Sequence, residues 1–376
     1  MTIPFLDLRK INAELDTDLK KAIESILASG WYILGKADER FEKEFTSSLQ
    51  GNGPCSSIGC NSGTDALILS LLAAGVNPDD EVITVSHTAI PTVTAICAVR
   101  ARPVLVDIDP RTWVMDIDKA MGMVTAKTKA IIPVHLYGNM VDVNRLAAAL
   151  ERTGRRDIAI IEDVAQAQGS ILNGQQAGTI DRFGAFSFYP SKNIGALGDG
   201  GAIACASAGD AATIRMLRNY GQKDRYNAEL PRGLNSRLDE IQAAVLSVKL
   251  PHLERWNKQK ADQMAVYRRE LSDLPIQFQS VTTGCAPGWH LCVIATERKE
   301  IRTSLMRYLE QEGIQTLIHY PLPTHQQKAF SAFSRHSLPI TEDLADRILS
   351  LPLNTVLTSA EQTQIIESIR SFYRKG

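Results

Sequence analysis

The sequence predicts an α/β fold in which a mainly parallel sheet is covered by helices on both faces, followed by a smaller α+β unit. Between about residues 81 and 205, short apolar segments rich in β-branched residues alternate with helical patterns, the order expected of βαβ units. A long helical pattern then runs from 237 to 271 and is interrupted only at Pro251. The chain has 376 residues, more than one hydrophobic core normally organises, so we expect two domains.

The strand candidates are continuous apolar runs, which is typical of strands buried on both faces. In chain order they are EVITVS (81–86), PVLVDID (103–109), KAIIPVHL (129–136), IAIIED (158–163) and AFSFY (185–189). The helical patterns between them are TVTAICAV (92–99), DKAMGMV (118–124) and DVNRLAAALERTG (142–154). These segments predict a three-layer α/β/α large domain.

Pro251 marks the predicted boundary between the domains. We assign 1–250 to the large domain and 251–376 to a small C-terminal α+β domain. The segments that predict the small domain are a strand candidate LCVIAT (291–296), a helical segment RTSLMRYLEQEG (302–313) and helical patterns near Leu344 and Gln362.

Composition and charge exclude several classes of protein. The 41 basic and 42 acidic residues give a net charge of −1, so there is no positive field for a nucleic acid partner. The longest apolar run, ALILSLLAAGV (66–76), is too short to span a bilayer, and no membrane partner is expected. The six cysteines form no CxxC pair and the seven histidines no HExxH motif, so we expect reduced thiols, no metal and a cytoplasmic location.

Polar side chains stand where several of the predicted strands end. They are Ser86, His87, Asp107, Asp109, His135, Glu162, Asp163 and the residues from Ser187 to Lys192. In an open parallel sheet the ligand crevice lies beyond the carboxyl ends of the strands, so these residues are expected to converge on one site. For any single residue, a hydrogen-bonded strand end is the alternative.

The segment CNSGTDALILSLLAAG, which begins at Cys60, places small polar residues before a helical run. The backbone N–H groups of Gly63, Thr64 and Asp65 would be free at the start of that helix, and such an end attracts a phosphate group. An ordinary N-cap made by the Ser62 or Thr64 hydroxyl is the alternative. The sequence has no Walker motif, so a nucleoside triphosphate is not the expected ligand.

The segment IAIIEDVAQAQG (158–169) ends a buried strand with two carboxylates. A buried carboxylate needs a cation or a hydrogen-bond donor to stay charged. Asp163 can therefore pair with a protonated ring nitrogen of a cofactor, and Gln166 offers an amide to a neighbouring hydroxyl or phenolate. An internal hydrogen bond at the strand end is the alternative.

The segment AFSFYPSKNIGALGDGG (185–201) places Lys192 after a strand and before glycines that leave room for a flat ligand. A partly desolvated lysine becomes an amine nucleophile that can form a Schiff base with an aldehyde. A lone lysine after a strand is more often a surface residue. The helix end, Asp163 and Lys192 together nevertheless predict pyridoxal phosphate chemistry, because they match the phosphate, the pyridine nitrogen and the aldehyde of that cofactor.

The motifs around these residues resemble those of a known family. They are IPFLDL, SGWYILG, NSGTDAL, DEVITVSHT, PVLVDID, AIIPVHLYG, IIEDVAQAQG, FSFYPSKNIGALGDGGA, NYG, GLNSRLDEIQAA and HYPLPTH. Over nearly the whole chain the sequence resembles the DegT/DnrJ/EryC1/StrS family of pyridoxal-phosphate sugar aminotransferases. The resemblance implies the fold type I architecture of aspartate aminotransferase, with pyridoxal 5′-phosphate as cofactor and pyridoxamine 5′-phosphate as its intermediate form.

Roles carried over by position follow from the resemblance. It implies that Lys192 is the catalytic lysine, which also holds the cofactor, that Asp163 is the partner of the pyridinium nitrogen and that Gln166 contacts the ring hydroxyl. The implied phosphate ligands are Gly63, Thr64 and Ser187.

Two further roles concern the neighbouring subunit and the face of the cofactor ring. The resemblance implies that Asn235 reaches the phosphate from the other subunit of a homodimer with shared active sites. Many members carry an aromatic residue where this chain has Ala89, so His87 is the predicted group that stacks on the ring.

The resemblance also implies the substrates. L-glutamate is the expected amino donor and a nucleotide-linked ketosugar the acceptor, in the biosynthesis of deoxyaminosugars for O-antigen or another polysaccharide. KNIGALGDGG and SGWYILG look more like members that act on dTDP-linked 3-keto-6-deoxyhexoses than like the 4-keto enzymes. An aminotransferase for a GDP- or UDP-linked 4-ketosugar is the alternative. The predicted substrate-binding residues, for each of which core packing is the alternative, are Trp31, Tyr32, Tyr220, His319 and Tyr320.

Two other activities are weighed against transamination. Related dehydratases have a histidine in place of the lysine, and some use an iron–sulfur cluster; Lys192 and the cysteine spacing both favour transamination. A non-catalytic regulator that binds the cofactor is an alternative of another class. We recognise no helix-turn-helix extension or basic tail in the sequence, which disfavours that alternative.

Overall fold

The computed structural model of the chain describes residues 2–49, 56–334 and 336–375. Its helices are α1 (Leu8–Ala13), α2 (Asp16–Ser29), α3 (Lys36–Ser48), α4 (Gly63–Ala73), α5 (Ile90–Ala98), α6 (Ile117–Gly122), α7 (Val143–Arg152), α8 (Ala208–Leu217), α9 (Glu240–Lys249), α10 (Leu253–Glu270), α11 (Lys299–Gln311), α12 (Pro339–Arg347) and α13 (Ser359–Lys375). Its strands are β1 (Ser56–Cys60), β2 (Glu81–Val85), β3 (Arg102–Val106), β4 (Thr128–Ile132), β5 (Ala159–Asp163), β6 (Ile171–Leu172), β7 (Gln175–Gln176), β8 (Phe183–Ser187), β9 (Gly201–Cys205), β10 (Gln222–Asp224), β11 (Asn227–Ala228), β12 (Gln277–Phe278), β13 (Cys285–Ala286), β14 (Cys292–Ala295) and β15 (Ile348–Leu351).

The cysteines in the described ranges are free thiols, and Cys55 lies outside those ranges. Among the described residues, no three His, Cys, Asp or Glu side chains are grouped so that they could hold a metal ion. No helix in the described part of the chain combines the length and the apolar character needed to cross a membrane.

The central sheet has seven strands in the order β1-β9-β8-β5-β4-β2-β3. Strands β8, β5, β4, β2 and β3 pair in parallel, whereas β9 runs antiparallel to both of its neighbours, β1 and β8. Every residue of β2, β5 and β8 is buried, as expected of strands covered by helices on both faces. The predicted mainly parallel α/β fold is confirmed.

Strands β1 and β9 have no counterpart among the predicted strands. Their sequences, SSIGC and GAIAC, consist mostly of small residues, so the β-branched signal that predicts a strand is weak. They pair with each other in a register that places Cys60 opposite Gly201. A Cβ on Gly201 would lie 2.4 Å from the carbonyl group of Ser62, so only glycine lets β9 run this close to the start of α4.

The second unit is built around the antiparallel sheet β12-β14-β15. Its buried cluster includes Met264 from α10, Leu305 from α11 and Ile365 from α13. Ile3 from the start of the chain also packs in this cluster and pairs with Ile314. The predicted domains assign Ile3 to the large domain, and the contact with the second unit was not predicted.

A 3-10 turn that contains Pro251 separates α9 from α10. The first half of α10 packs with the large unit, since Trp256 belongs to a buried cluster of that unit, and the second half packs with the small one through Met264. Helix α10 is therefore shared by two hydrophobic cores. The division into 1–250 and 251–376 stays a prediction.

Several strand-end polar side chains hold elements together and do not face a common site. Asp107, after β3, accepts hydrogen bonds from the Thr341 backbone N–H at 2.9 Å and hydroxyl at 2.7 Å, at the start of α12. The Ser86 hydroxyl, after β2, lies 2.6 Å from His325 Nδ1, and His325 Nε2 lies 3.1 Å from the Glu342 carboxylate. Both sets of contacts connect the large unit to the segment between Thr324 and Arg347.

Glu162 and His135 form a buried pair at the ends of β5 and β4, with His135 Nε2 3.0 Å from the carboxylate. Glu162 also accepts hydrogen bonds from the backbone N–H groups of Gly178 and Ile180, each at 2.9 Å. Asp109 accepts hydrogen bonds within its own turn. Glu162, His135 and Asp109 therefore follow the alternative interpretation, in which a polar side chain at a strand end makes internal hydrogen bonds.

A buried glutamate stabilises the start of α3. Glu240, at the start of α9, accepts hydrogen bonds from the backbone N–H groups of Gly35 at 2.9 Å, Ala37 at 2.9 Å and Asp38 at 2.8 Å. These N–H groups have no acceptor within their own helix. The negative charge also lies at the positive end of the helix dipole. Glu240 therefore fixes α3 against α9.

Replacing Glu240 by alanine would leave the two buried N–H groups of Ala37 and Asp38 and the part-buried N–H of Gly35 without acceptors. We expect the midpoint of urea unfolding to fall by an amount that corresponds to about 2–4 kcal/mol, measured by circular dichroism at a fixed protein concentration. Glu39→Ala removes an exposed acidic side chain from the same first turn of α3 and serves as the control. Equal losses of stability in the two variants would contradict this role of Glu240.

Candidate active site

A cavity of about 320 Å³ opens at the C-terminal ends of β5 and β8, beside the first turn of α4. The predicted site residues that line it are Gly63, Thr64, Asp163, Gln166, Ser187, Lys192, His319 and Tyr320. They come from parts of the chain that are far apart in sequence. The fold therefore brings together most of the groups that the sequence predicts for the cofactor, and two of those that it predicts for the substrate.

The N-terminal end of α4 forms one wall of the cavity. Ser62 is the N-cap, and its hydroxyl accepts a hydrogen bond from the Asp65 N–H at 3.1 Å. The N–H groups of Gly63 and Thr64 lie in the first turn, where the helix supplies no acceptor. A Cβ on Gly63 would lie 2.5 Å from the Cβ of Ser187, so the glycine allows the serine to lie against the helix end. This arrangement of free N–H groups and a hydroxyl suits a phosphate.

Asp163 ends β5 inside the cavity and is 5% exposed. Its carboxylate accepts hydrogen bonds from the Thr92 hydroxyl at 2.9 Å and the Ala165 N–H at 3.1 Å. Burial raises the pKa of Asp163, whereas these two hydrogen bonds and the charge of Lys192 act in the opposite direction. The carboxylate is thus held in a place where a cationic ligand group would stabilise its charge.

Lys192 lies in the loop that follows β8 and is half-buried. Its backbone N–H donates to the carbonyl oxygen of Tyr189 at 2.8 Å, which closes a turn directly after the strand. Burial lowers the pKa of Lys192 to about 8, against the opposing effect of the Asp163 charge. About a tenth of this lysine is therefore a neutral amine at pH 7 and about half at pH 8, and the neutral form is the one that a nucleophile or base requires.

Gln166 is held in a fixed orientation by hydrogen bonds on both ends of its amide. Its oxygen accepts from the Tyr137 N–H at 2.9 Å, and its nitrogen donates to the Tyr320 hydroxyl at 2.9 Å. The Tyr137 hydroxyl donates in turn to the carbonyl oxygen of His319. Because an amide nitrogen carries two hydrogens, one N–H of Gln166 is left for a ligand in the cavity.

The sequence model of the DegT/DnrJ/EryC1/StrS aminotransferase family matches residues 13–370 of the chain. The chain belongs to this family. The predicted family and the predicted enzyme class, an aminotransferase, are thereby confirmed.

Relatives of the chain in this aminotransferase family are similar over nearly their full length. The erythromycin biosynthesis sensory transduction protein EryC1 of Saccharopolyspora erythraea is 43% identical over 99% of this chain and 100% of its own. The dTDP-3-amino-3,4,6-trideoxy-alpha-D-glucose transaminase of Streptomyces venezuelae is 40% identical over 98% of this chain and 96% of its own. Further relatives, 36% to 40% identical, are named as aminotransferases or transaminases of dTDP- or UDP-linked sugars.

Solved structures agree with the fold. The crystal structure of S. venezuelae DesV matches with a TM-score of 0.94 at 39% identity, over 99% of this chain and 98% of that one. Other structural neighbours are described as holding pyridoxamine phosphate or pyridoxal phosphate, in agreement with the predicted cofactor.

His87 does not occupy the position that its predicted stacking role requires. Its ring is buried and its Nε2 lies 2.9 Å from the Tyr137 hydroxyl, whereas Thr88 and Ala89 line the cavity. Burial lowers the pKa of His87 to about 4, so the ring is neutral at physiological pH. His87 therefore contacts Tyr137 behind the cavity, and the small side chain of Ala89 lines the cavity in its place.

Four other predicted residues do not line the cavity of their own chain. Trp31 and Tyr32 are exposed, and Trp31 borders a groove between α2, α3 and α9. Tyr220 is also exposed, with the guanidinium of Arg237 5.3 Å from its ring centre. Asn235 is exposed as well. A role for these residues in binding requires a second subunit, and it stays a prediction.

The structure adds two residues that the sequence did not indicate. Thr92 binds Asp163 from the first turn of α5, and a threonine there has no sequence signature of its own. His290 lines the cavity from the small unit, and its Nδ1 lies 3.2 Å from Asn193 Oδ1. It belongs to a loop that carries no strand-end signal, so only the folded chain brings it to the site.

The neutral amine of Lys192 can be measured directly. In cofactor-free protein, we expect the rate of labelling of Lys192 by an aldehyde and borohydride, read by peptide mass mapping, to rise with pH with a midpoint near pH 8. In Asp163→Asn the midpoint should lie lower, because the aspartate charge favours the ammonium form. A midpoint at the ordinary lysine value of 10.5 would contradict the described environment of this residue.

Proposed function

We propose that this protein transfers the amino group of L-glutamate to a nucleotide-linked ketosugar, with pyridoxal 5′-phosphate as its cofactor. The observation that carries the proposal is the cavity in which the Lys192 amine, the Asp163 carboxylate and the N-terminal end of α4 meet. Membership of an aminotransferase family supports it.

The groups around the cavity fit this cofactor. The first turn of α4 and the Ser187 hydroxyl suit its phosphate, the buried Asp163 carboxylate suits a protonated ring nitrogen, and the remaining N–H of Gln166 suits the ring hydroxyl. When bound, the cofactor supplies an aldehyde carbon that condenses with amines and a pyridinium ring that withdraws electrons from that carbon.

Lys192 is the proposed acid–base group as well as the residue that holds the cofactor. In the first half-reaction its amine removes the proton from Cα of the amino donor, and in the second its ammonium form returns a proton to the sugar carbon that accepts nitrogen. A base is most effective when its pKa lies near the working pH, and the pKa of Lys192 of about 8 meets that requirement.

His319 and Tyr320 are the proposed substrate contacts from the small unit. His319 Nδ1 lies 2.9 Å from the Ser350 hydroxyl, which fixes the ring and leaves Nε2 for a ligand. Burial lowers the pKa of His319 to about 4, so this ring is a neutral hydrogen-bonding group and not a cation. Such a group suits a sugar hydroxyl.

We infer that the acceptor is a dTDP-linked 3-keto-6-deoxyhexose. The motifs KNIGALGDGG and SGWYILG support this choice, and so does the name of the S. venezuelae relative, which specifies a dTDP-linked 3-amino sugar. A GDP- or UDP-linked 4-ketosugar is the alternative. The same assignment places the protein in deoxyaminosugar biosynthesis.

A non-catalytic regulator is the second candidate. The name of the S. erythraea relative, a sensory transduction protein, favours it. The candidate requires that Lys192 bind the cofactor without turnover, although the amine is half neutral near pH 8 and faces an open cavity. Formation of 2-oxoglutarate from glutamate in the presence of a ketosugar nucleotide separates the two candidates.

We further propose that the active sites are shared between two subunits of a homodimer. Exposed apolar side chains are concentrated next to the groove between α2, α3 and α9, whose volume is about 1040 Å³; they are Leu27, Trp31, Tyr32 and Ile33. An exposed apolar patch of this kind marks an interaction surface. A second copy of the chain on this face would cover it, and Asn235 would then complete the partner's phosphate site.

Lys192→Ala tests the proposed chemistry. Wild-type protein is incubated with L-glutamate and a panel of dTDP-, UDP- and GDP-linked 3- and 4-ketosugars, and the products are read by mass and by the position of the new amine. We expect the active pair to lose about 10³-fold in turnover in Lys192→Ala, while exposed Lys258→Ala keeps wild-type rates. Equal turnover in Lys192→Ala and wild type would exclude Lys192 as the base.

Hybrid dimers test the shared site. Lys192→Ala and Asn235→Asp each inactivate the homodimer in this proposal, the second by repulsion of the phosphate. Mixing the unfolded variants in equal amounts and refolding them should restore about a quarter of wild-type turnover, because half of the dimers are hybrids and one site in each hybrid is intact. If Asn235 acts within its own chain, mixing restores nothing.

A further inference from the structure

A second, smaller cavity of about 50 Å³ lies next to the cofactor cavity. Ser191, Lys192 and His290 line both cavities, so the reactive lysine separates them. The other walls of the small cavity are α1, the end of α9, the first half of α10 and residues 353–355. This volume accommodates a few water molecules or one small ion.

The walls of the small cavity carry positive charge. Lys192, Lys249 and Lys260 all line it, and among its described lining residues there is no aspartate or glutamate. Lys249 donates to the carbonyl oxygen of Gly195 at 2.7 Å. Lys260 is 5% exposed and makes no hydrogen bond or ion pair with any residue that the structure describes. A buried ammonium group in this position lacks a counter-charge.

The same walls contain buried polar atoms that have no partner in the described part of the chain. They are Trp256 Nε1, Thr355 Oγ1 and Asn12 Oδ1. The indole nitrogen is only a donor, the hydroxyl can donate, and the amide oxygen can accept from one of the three hydrogens of a lysine ammonium group. Unpartnered donors are therefore in excess among the residues that line the cavity together with Lys260.

We propose that this cavity binds a small monovalent anion, a halide or a carboxylate group, between the Lys260 ammonium, the Trp256 indole N–H and the Thr355 hydroxyl. The anion supplies the counter-charge that the lining residues lack and accepts hydrogen bonds from the unpartnered donors. Water could accept the hydrogen bonds but would not neutralise the charge.

Without a bound anion, burial disfavours the ammonium forms of these lysines. Burial lowers the pKa of Lys260 to about 7 and that of Lys249 to about 8. A bound anion offsets this burial cost and favours the ammonium form. Since Lys192 borders the same cavity, the anion also favours the ammonium form of the reactive lysine.

Two sources of the anion share this chemistry. One is a free halide from solution. The other is a carboxylate of the amino donor, which would reach past Lys192 from the cofactor cavity; this second source rests on the proposed function, whereas the site itself does not.

Bromide is the probe for the site, used on the full chain with its cofactor. We expect crystals soaked in sodium bromide to show an anomalous peak within hydrogen-bonding distance of Lys260 Nζ and Trp256 Nε1. In solution, thermal unfolding at constant ionic strength should show a saturable rise in Tm when bromide replaces the anion of MES, a bulkier sulfonate that carries no carboxylate group.

Variants on α10 make the test specific. Lys260→Met should abolish both the bromide peak and the saturable rise in Tm, and Trp256→Phe should weaken them. Lys258→Met changes an exposed lysine two positions away and should leave both unchanged. Water in place of bromide at this position, or an equal rise in Tm in Lys260→Met, would overturn the proposal. Neither result depends on turnover, so failure of the site and failure of the proposed function are distinguishable.

Soaking with L-glutamate in halide-free buffer identifies the source. Carboxylate density in the cavity would assign the site to the amino donor, and bromide binding without such density would assign it to a free anion. Either result supports the anion site.

Discussion

The burial of a negative and a positive side chain in one cavity is the constraint on which the site depends. Folding removes Asp163 and Lys192 from water, and this burial disfavours the charged form of each side chain. Their mutual attraction offsets part of this cost. The hydrogen bonds that Thr92 and Ala165 donate to the carboxylate offset a further part. Fewer interactions stabilise the charged form of Lys192, since only the Asp163 charge favours it, and its neutral amine is accordingly the more reactive group.

The groups with unusual positions in the sequence are the ones that it predicts well. A strand-end carboxylate or lysine is weak evidence on its own, but Asp163, Lys192 and the start of α4 together indicate a site, and all three line the cavity. The start of α4 was predicted because glycine and hydroxyl residues precede a long helical run. The parallel core of the sheet follows from the same continuous apolar runs.

Other features depend on side-chain direction or on tertiary packing, which a single sequence does not specify. His87 and Ala89 lie two residues apart after β2, but the chain has left the strand there, and only the folded backbone shows which side chain faces the cavity. Asp107 and Glu162 look like site residues in the sequence, yet they bind backbone N–H groups of distant segments. Strand β9 is not predicted because it consists mostly of small residues, one of which, Gly201, is required by the close approach to α4.

Helix α10 belongs to two hydrophobic cores, through Trp256 at one end and Met264 at the other. A change in the packing of the small unit can therefore shift helix α10, whose first half lines the small cavity next to Lys192. Substitutions in the interior of the small unit can change the reactivity of the lysine without touching any ligand. The reactivity of the lysine can accordingly diverge among related enzymes through shifts of helix α10, while the residues that line the cavity stay the same.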